Sequence, residues 1–384
     1  MVEARMTEEM IASMRSKSGM ELRIDECRNN DQANRWTILR FAEGIGDTNP
    51  LWTDPDYAAT TKYGTLVGPP TWPFCCFAGV QFGWPGLGAF HSGSDITFHR
   101  PVMVGDRIEP RCIYEGFDGP APSKFAGKSV VDRFRHDYHN QRGELVLESV
   151  ATCVRYERGE AKSRADKRPV TLPHPWTADE INEIEAAVLA ETCRGSDPRW
   201  WEDVEVGDEL DSVTKGPLGL TDEIAFVASG AAPIPRIAAN RASLQQYAAH
   251  PAWSFRDPDT AAKEPIYAVH YNHNAARAMG VAASYDVGIQ RTCWQVHLLT
   301  NWIGDDAWLC RAKSEYRGFV FLSDVIRLGG RVTGKSIAPN GDHLVTVETW
   351  ATNQRGQNVM PGSATIALPT RNGEHPLQHR LPSI

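Results

Sequence analysis

An internal repeat constrains the fold of this chain more than any other feature of its sequence. Asp324 follows Asp106 after 218 residues, and each aspartate precedes a segment with the alternating apolar pattern of a β-strand. The turn sequence Asn-Gln-Arg-Gly also occurs twice, at 140–143 and at 353–356. The same offset of 218 residues relates two short helical segments and two helix starts, at Ala58 and Ala276 and at Pro70-Thr71 and Gly288-Ile289. Such a repeat predicts two copies of one supersecondary unit that bury their apolar faces together.

Each copy contains helical segments, a polar turn, a longer apolar helix and a run of strands. In the second copy, apolar residues recur at helical spacing from Ile289 to Ile303, which predicts a helix with a broad buried face. In the first copy, the apolar segment from Thr71 to Gln81 has the length of a helix, and Pro73 fits its first turn. Because antiparallel sheets need a cover on one face, we predict an α+β fold. It would contain two antiparallel sheets, each wrapped around a long central helix.

The length of 384 residues favours two domains. We predict a first domain over 1–157, a polar linker with a helix over 158–199, and a second domain over 200–384. A capping-box pattern at Thr177 marks the start of the linker helix. The second domain carries additional chain at 231–264, rich in proline and aromatic residues. We expect this segment to be an ordered loop that lines a substrate tunnel.

Composition excludes several classes of protein. The formal net charge is −8 and no block of lysine or arginine occurs, which argues against nucleic acid as a partner. No apolar run reaches the length of a membrane span, and the N-terminus MVEARMTEEM is too polar for a signal peptide, so we expect a cytoplasmic protein. The eight cysteines are scattered without a CxxC pair, which indicates reduced core thiols and no metal site. The sequence leaves formation of a homodimer open.

The segment before the second long helix has the residues of a thioester-type site. His270 lies shortly upstream of the helix, and its imidazole can carry a proton in either direction near neutral pH. Gly288 lies at the helix start, where a glycine lets the backbone approach a ligand and the first N–H groups are unpaired. The alternatives are a hydrogen-bonded structural histidine and a simple turn glycine.

Six segments of the chain resemble the MaoC-like dehydratase family, which includes (R)-specific enoyl-CoA hydratases. They read RFAEGIGDTNPLWTDPDYA, TLVGPPTW and ITFHRPVMVGDRI in the first half, and VHYNHNAARAMG, SYDVG and IGDDAWL in the second. The resemblance implies a double hot-dog fold, in which two sheets join side by side. It also implies addition of water to enoyl thioesters of coenzyme A or acyl carrier protein, or its removal from 3-hydroxyacyl thioesters. No metal or redox cofactor is implied.

The family motif D-x-N-P-x-H supplies an aspartate and a histidine that handle the water. In the first half Asp47 and Asn49 match the motif, but Trp52 stands in the place of the histidine, and an indole cannot act as a base. In the second half His270 matches the histidine, whereas Pro265 stands in the place of the aspartate. The resemblance therefore assigns the active site to the second half. The first site is inactive or shapes the acyl tunnel, with Asp47 and Asn49 as substrate contacts.

Residues around Gly288 have competing interpretations. Asp286 either replaces the missing aspartate or caps the long helix. Arg291 either binds a carboxylate or phosphate of the substrate or forms an ion pair with Asp286. Tyr267 and Tyr285 either line the pocket or pack in the core.

These observations predict a hydro-lyase, an enoyl-CoA hydratase or 3-hydroxyacyl-thioester dehydratase. His270 would be the base, Asp286 its carboxylate partner, and the Gly288 N–H the donor to the thioester oxygen. One rival is a hot-dog thioesterase that uses a carboxylate and water at the same helix start. A second rival is a non-catalytic protein that binds acyl thioesters. The acyl group, its carrier and the reaction direction stay open.

Overall fold

The structure is a computed structural model that describes residues 4–79, 83–165, 171–230, 237–373 and 375–381. Its described part contains one antiparallel sheet of ten strands and a separate two-stranded hairpin. The strands are β1 (Met20–Glu21), β2 (Gly88–Phe98), β3 (Ile108–Ser123), β4 (Gly127–Asn140), β5 (Leu145–Tyr156), β6 (Val213–Lys215), β7 (Ser254–Arg256), β8 (Lys263–Pro265), β9 (Trp308–Glu315), β10 (Ile326–Ile337), β11 (His343–Asn353) and β12 (Gly362–Leu368).

The α-helices of the described ranges differ widely in length. They are α1 (Glu8–Arg15), α2 (Arg35–Ile45), α3 (Pro50–Thr53), α4 (Pro55–Thr60), α5 (Arg158–Ala165), α6 (Ala178–Leu189), α7 (Leu220–Ala228), α8 (Asn240–Ala249), α9 (His273–Ala278) and α10 (Gly288–Ile303). With 16 residues α10 is the longest of them, and it is the helix around which the sheet is organised.

The two halves of the sheet join through the antiparallel pairing of β2 with β9. Across this seam Ser94 is paired with Ser314, and Ile96 with Ala312. The remaining strands follow outward in the order β5, β4, β3, β1 on one side and β12, β11, β10, β6 on the other. A continuous sheet made of two similar halves is a double hot-dog arrangement, which confirms the predicted α+β fold.

The helix α10 lies in the interior of this arrangement. Every residue from Ile289 to Ile303 is buried, so the predicted buried face extends around the whole helix. Gln295 Nε2 donates hydrogen bonds to the Lys313 carbonyl oxygen (2.9 Å) and to Thr349 Oγ1 (2.8 Å), which ties the helix to two strands. A helix enclosed in this way holds its N-terminus in a fixed position relative to the sheet.

The prediction of a long central helix in the first half, from Thr71 to Gln81, is wrong. The segment forms a 3-10 turn at Trp72–Cys75, and Gln81 lies outside the described residues. Beyond the turn, the Gly79 carbonyl oxygen lies 2.9 Å from His136 Nε2 on β4, so a side chain of the sheet holds this backbone. The apolar composition of the segment therefore reflects its burial rather than a helical conformation.

Asp106 and Asp324 occupy equivalent buried turns, which confirms the internal repeat. Asp106 Oδ2 accepts a hydrogen bond from the Met103 N–H (2.8 Å), and Asp324 Oδ2 accepts one from the Phe321 N–H (3.0 Å). Met103 and Phe321 are themselves 218 residues apart. Each aspartate also accepts hydrogen bonds from the glutamine and the arginine of the Asn-Gln-Arg-Gly turn in its own half. One hydrogen-bonding pattern thus occurs twice along the chain.

The additional chain at 231–264 has regular structure in its described part. It forms α8, a 3-10 turn at Pro251–Trp253 and the β7–β8 hairpin, while 231–236 lie outside the described ranges. Asp257 fastens the hairpin to the start of α9, because its Oδ2 accepts a hydrogen bond from Asn272 Nδ2 (2.8 Å). The segment is therefore ordered, as expected, and it is more regular than a loop.

The linker between the halves contains α5 and α6. Thr177 caps α6 with the predicted capping box: its Oγ1 accepts from the Glu180 N–H (3.3 Å), and Glu180 Oε2 accepts from the Thr177 N–H (2.8 Å). None of the helices in the described ranges combines the length and the apolar character that a bilayer crossing requires.

Candidate active site

A cavity of about 410 Å³ lies at the N-terminal end of α10, between the two halves. Its wall is formed by the start of β2, the turn before α9, the residues that lead into α10 and the segment after β9. Polar side chains of this wall include His91, Tyr267, His270, Tyr285, Asp286 and Tyr316, and it also contains Arg158, Arg291 and Arg317. The structure thus brings the histidine and the glycine singled out from the sequence, His270 and Gly288, to one cavity.

His270 ends a 3-10 turn at Ile266–His270, and its ring is held in one orientation. Its Nδ1 lies 2.9 Å from the Tyr285 carbonyl oxygen. Because a carbonyl oxygen only accepts hydrogen bonds, Nδ1 carries the proton and Nε2 carries the lone pair. Burial lowers the pKa of His270 to about 4, so the ring is neutral at pH 7. This imidazole can therefore accept a proton through Nε2.

Gly288 begins α10, and Val287 before it provides no side-chain cap. The first N–H groups of a helix have no partner within the helix and carry a partial positive charge. A Cβ on Gly288 would lie 3.0 Å from His91 Cβ and 3.1 Å from Tyr316 Cε2, so a larger residue here would have to displace these side chains by a few tenths of an ångström. The helix start can therefore reach the cavity wall, where its amides are suited to an oxygen that gains negative charge.

Asp286 and Arg291 form a buried ion pair, which is one of the alternatives that the sequence left open for Arg291. Arg291 Nη2 donates to Asp286 Oδ1 (2.8 Å), its Nε donates to Oδ2, and its Nη1 donates to the Gly318 carbonyl oxygen (2.6 Å). All three nitrogens of the guanidinium group are engaged in this way, which favours a structural role for Arg291 over a contact with the substrate. Both oxygens of Asp286 face this group, and its side chain does not cap α10. The geometry supports the ion-pair alternative, in which the two residues hold the turn before α10.

Tyr267 and Tyr285 line the cavity and also pack against its histidine. The Tyr267 ring centroid lies 4.7 Å from that of His270, and the Tyr285 centroid lies 5.1 Å from it, both in edge-to-face geometry. The ring centroids of Tyr285 and Phe319 are 5.0 Å apart. These tyrosines therefore both line the pocket and pack in the core, so the two interpretations apply together.

The aromatic residues of the additional chain do not belong to the described wall of this cavity. Tyr247, Trp253 and Phe255 are absent from it, and the phenylalanine side chains of the wall are Phe90, Phe125 and Phe319. The expectation that the segment at 231–264 lines a substrate tunnel is therefore wrong for its described part. The segment lies over α9, and the first half contributes two of the three phenylalanines.

The first-half motif lies apart from this cavity. Asn49 Oδ1 accepts a hydrogen bond from the Leu51 N–H (2.9 Å) and caps α3. Asn49 and Trp52 line a second cavity of about 60 Å³ beside the C-terminal end of α10, and Trp52 is 2% exposed. The length of α10, about 24 Å for its 16 residues, separates the two cavities. Asp47 and Asn49 are thus not placed to contact a substrate bound at His270.

Asp47 belongs to a buried charged cluster around His297. His297 Nε2 lies 2.6 Å from Glu191 Oε1 and 3.5 Å from Asp47 Oδ1. Lys215 Nζ lies 2.9 Å from His297 Nδ1 and donates a hydrogen bond to the Gly46 carbonyl oxygen (2.8 Å). The cluster joins the first half, the linker and the second half, and its opposite charges offset one another.

Two cavity residues were missed in the sequence, His91 on β2 and Tyr316 after β9. Their ring centroids are 5.0 Å apart in edge-to-face geometry, and the Tyr316 N–H donates to the Ser92 carbonyl oxygen (2.9 Å). More than two hundred residues separate them in the chain, and only the pairing of β2 with β9 brings them together. No local motif marks either residue, so knowledge of the seam was needed to find them.

Metal-binding groups are not assembled in the part of the chain that the structure describes. There, no group of three or more His, Cys, Asp or Glu side chains is arranged to hold a metal ion. The cysteines are free thiols and most are buried, as the sequence indicated; the buried ones are Cys75, Cys76, Cys112, Cys153 and Cys293.

Known proteins resemble this chain most clearly in its first half. Residues 28–149 match the family described as FAS1-like, dehydratase domain region. A UPF0336 protein from Streptomyces avermitilis is 32% identical over 131 residues, which are 32% of this chain and 83% of that protein. A probable enoyl-CoA hydratase alpha subunit from Thermomonospora curvata is 24% identical over 170 residues, which are 38% of this chain and 52% of that protein.

Solved structures share the fold over nearly the whole chain. A MaoC-like dehydratase has a TM-score of 0.63 at 15% identity and covers 93% of this chain and 100% of its own. A conserved hypothetical protein from Mycobacterium tuberculosis, described as having a double hotdog fold, has a TM-score of 0.55 at 13% identity and covers 91% and 96%. Fold and cavity together define a double hot-dog protein with a histidine beside a helix N-terminus. The chain belongs to the same family as the UPF0336 proteins, its residues 28–149 match a dehydratase domain region, and its fold is that of the MaoC-like dehydratases.

Proposed function

We propose that this protein adds water to an enoyl thioester, or removes water from a 3-hydroxyacyl thioester, in the cavity at the start of α10. The observation that carries the proposal is that His270 and the Gly288 helix start line one cavity. The neutral ring of His270 can serve as a base, and the helix amides can hold an oxyanion. The name of the relative from Thermomonospora curvata, a probable enoyl-CoA hydratase alpha subunit, supports the same reaction class. The acyl carrier would be coenzyme A or an acyl carrier protein.

In the hydration direction, the oxygen of a water molecule bonds to the β-carbon of the enoyl group while His270 Nε2 takes one of its protons. The electron pair of the double bond moves toward the thioester carbonyl, whose oxygen gains negative charge beside the Gly288 N–H. The imidazolium of His270 then gives its proton to the α-carbon, and the carbonyl re-forms. Dehydration follows the same steps in reverse. A positioned general base contributes about 10²–10⁴-fold to such reactions.

The geometry favours water addition over hydrolysis of the thioester. The rival hot-dog thioesterase would need a carboxylate to activate water at the helix start. In the described wall of the cavity that carboxylate is Asp286, and both of its oxygens face the Arg291 guanidinium group. The contact of His270 with the Tyr285 carbonyl oxygen uses Nδ1, so it leaves the lone pair on Nε2 available to a water molecule.

A panel of enoyl-CoA and 3-hydroxyacyl-CoA thioesters tests the proposal, with the gain or loss of one water followed by mass spectrometry. The release of free coenzyme A is measured in the same reactions. His270→Asn keeps a donor for the Tyr285 carbonyl oxygen but removes Nε2, and it should lower kcat by about 10²–10⁴-fold.

The matched control is His273→Asn, three residues further along. His273 Nδ1 accepts a hydrogen bond from the Ser284 N–H (3.0 Å), a role that the asparagine oxygen can take over, and it is not part of the described cavity wall. This variant should keep wild-type turnover. Release of coenzyme A without a change of one water, or no turnover of any thioester, would overturn the proposal.

A further inference from the structure

The cavity contains a second imidazole, His91, which comes from the first half of the chain. His91 lies on β2, whereas His270 lies before α9 in the second half. Both line the cavity at the start of α10. A Cβ on Gly288 would lie 3.3 Å from His91 Cγ, so the ring adjoins the backbone to which the thioester oxygen is assigned.

The tautomer of His91 is fixed by the backbone, as it is for His270, but through the opposite nitrogen. His91 Nε2 lies 3.0 Å from the Gly93 carbonyl oxygen, so Nε2 carries the hydrogen and Nδ1 carries the lone pair. Ser94 Oγ lies 3.1 Å from the same Nε2 and 3.4 Å from Tyr316 Oη, which further restrains the ring. Each histidine of the cavity therefore has one nitrogen bound to a carbonyl group and one nitrogen that accepts hydrogen bonds.

We propose that His91 is a further catalytic residue of the water addition proposed above, and that its Nδ1 holds the attacking water. Water has two hydrogens, and the cavity offers two neutral imidazole acceptors. His270 Nε2 removes one hydrogen, and His91 Nδ1 accepts a hydrogen bond from the other and orients the oxygen toward the β-carbon. This inference rests on the proposed function.

The role of His91 is one that no carboxylate in the described wall of the cavity can fill. Pro265 stands where the family motif has its aspartate, and Asp286 is engaged by Arg291. Burial lowers the pKa of His91 to about 3, so its lone pair is present throughout the neutral range. An imidazole from the other half of the molecule thus supplies the second acceptor.

The atoms of the reaction balance without another reactant. The proton taken by His270 goes to the α-carbon of the product. The hydrogen held by His91 never leaves the water oxygen, and it becomes the hydrogen of the new hydroxyl group. His91 is therefore neutral before and after the reaction, and a single proton moves through His270.

Two substitutions at His91 separate its two nitrogens. The amide of glutamine reaches the position of Nε2, so His91→Gln keeps the donor to Gly93 and loses the acceptor at Nδ1. The amide of asparagine reaches the position of Nδ1, so His91→Asn keeps an acceptor there. We expect His91→Gln to lower kcat about 10²-fold with an unchanged KM, because the water is misplaced while the thioester still binds. His91→Asn should restore most of this loss.

His136→Gln is the matched control in the same half of the sheet. His136 is buried, its Nε2 lies 2.9 Å from the Gly79 carbonyl oxygen, and its ring is not in the described cavity wall. It should show wild-type kcat. If His91→Gln and His136→Gln change kcat equally, or if His91→Asn is no better than His91→Gln, the role of His91 is refuted while the proposed function stands. If the wild type turns over no enoyl or 3-hydroxyacyl thioester, both proposals fail.

Discussion

Arg291 donates hydrogen bonds to both carboxylate oxygens of Asp286, and the two side chains are 5% and 0% exposed. Asp286 precedes α10, and Arg291 lies in its first turn. The remaining guanidinium nitrogen, Nη1, donates a hydrogen bond to the Gly318 carbonyl oxygen. The pair therefore fixes the turn that presents Gly288 to the cavity. We therefore expect the pair to stabilise the structure of the site. Comparing the free energy of unfolding with kcat in variants of the pair distinguishes this role from a catalytic one.

Asp286→Asn should destabilise the protein by about 3–5 kcal/mol, because it leaves the buried charge of Arg291 without its partner. Unfolding in urea, followed by circular dichroism, gives the free energy of unfolding. The double variant Asp286→Leu/Arg291→Met removes both charges and should recover most of this loss. A fully stable Asp286→Asn protein with strongly reduced kcat would instead support the catalytic role first expected for Asp286.

Sequence reasoning placed the candidate site in the second half because its signals are local. The offset that places His270 on the family motif, and the glycine that precedes a long apolar segment, both lie within a short stretch of chain. His91 could not be found in this way, since only the β2–β9 seam brings it to Gly288. For Asp286 and Arg291, sequence spacing shows that an ion pair can form, but only the structure shows that it does.

The expected helix at Thr71 to Gln81 failed for a different physical reason. Periodicity and apolar content indicate that a segment is buried, and a buried 3-10 turn satisfies the same pattern as a buried helix. The two conformations differ in the partners of their backbone carbonyl groups. In this segment a side chain of the sheet, His136, forms a hydrogen bond with the Gly79 carbonyl oxygen. Such contacts depend on tertiary structure and leave no mark in the local sequence.

The pH dependence of activity should follow the lowered pKa of His270. Burial lowers this pKa from 6.5 to about 4, so the ring stays neutral and competent as a base until the pH falls through about 4. The acid limb of kcat/KM should therefore lie near pH 4. Circular dichroism at each pH serves as the control for unfolding. An acid limb near pH 6.5 would show that the catalytic imidazole is exposed to solvent, contrary to the structure.

The raised pKa of Glu223 on α7 provides a second test, in which the pH dependence of stability is measured. It is 0% exposed, and neither carboxylate oxygen forms a hydrogen bond of good geometry among the described residues, although the nearby Val287 N–H partly favours the charged form. Burial raises its pKa well above 4.5, and the nearby Asp286 adds to the rise. The native state therefore keeps the proton while the unfolded state loses it above pH 4.5, so the stability present at low pH is lost as the pH rises.

Glu223→Gln removes this linkage and should stabilise the protein by about 1–2 kcal/mol at pH 7, a typical gain for a single favourable substitution. The advantage should shrink toward zero at pH 4, where the carboxyl group is protonated in both states. Urea unfolding of both proteins at several pH values measures the difference. A loss of stability at pH 7 would mean that Glu223 is ionised and paired in the native state, and an advantage that is independent of pH would mean that its pKa is not raised by folding.

Trp52→His restores the complete D-x-N-P-x-H motif in the first half, and we expect it to create no second active site. The segment after Pro70 is a 3-10 turn, so no long helix presents amides there, and the neighbouring cavity of about 60 Å³ is too small for an acyl group. The substitution should cost about 2–4 kcal/mol of stability, because the smaller ring leaves a void where the buried indole was. Turnover per chain should not rise above that of the wild type. The decisive measurement is the double variant Trp52→His/His270→Asn: it should be as inactive as His270→Asn alone, and recovered turnover would show that the first half retains a usable site.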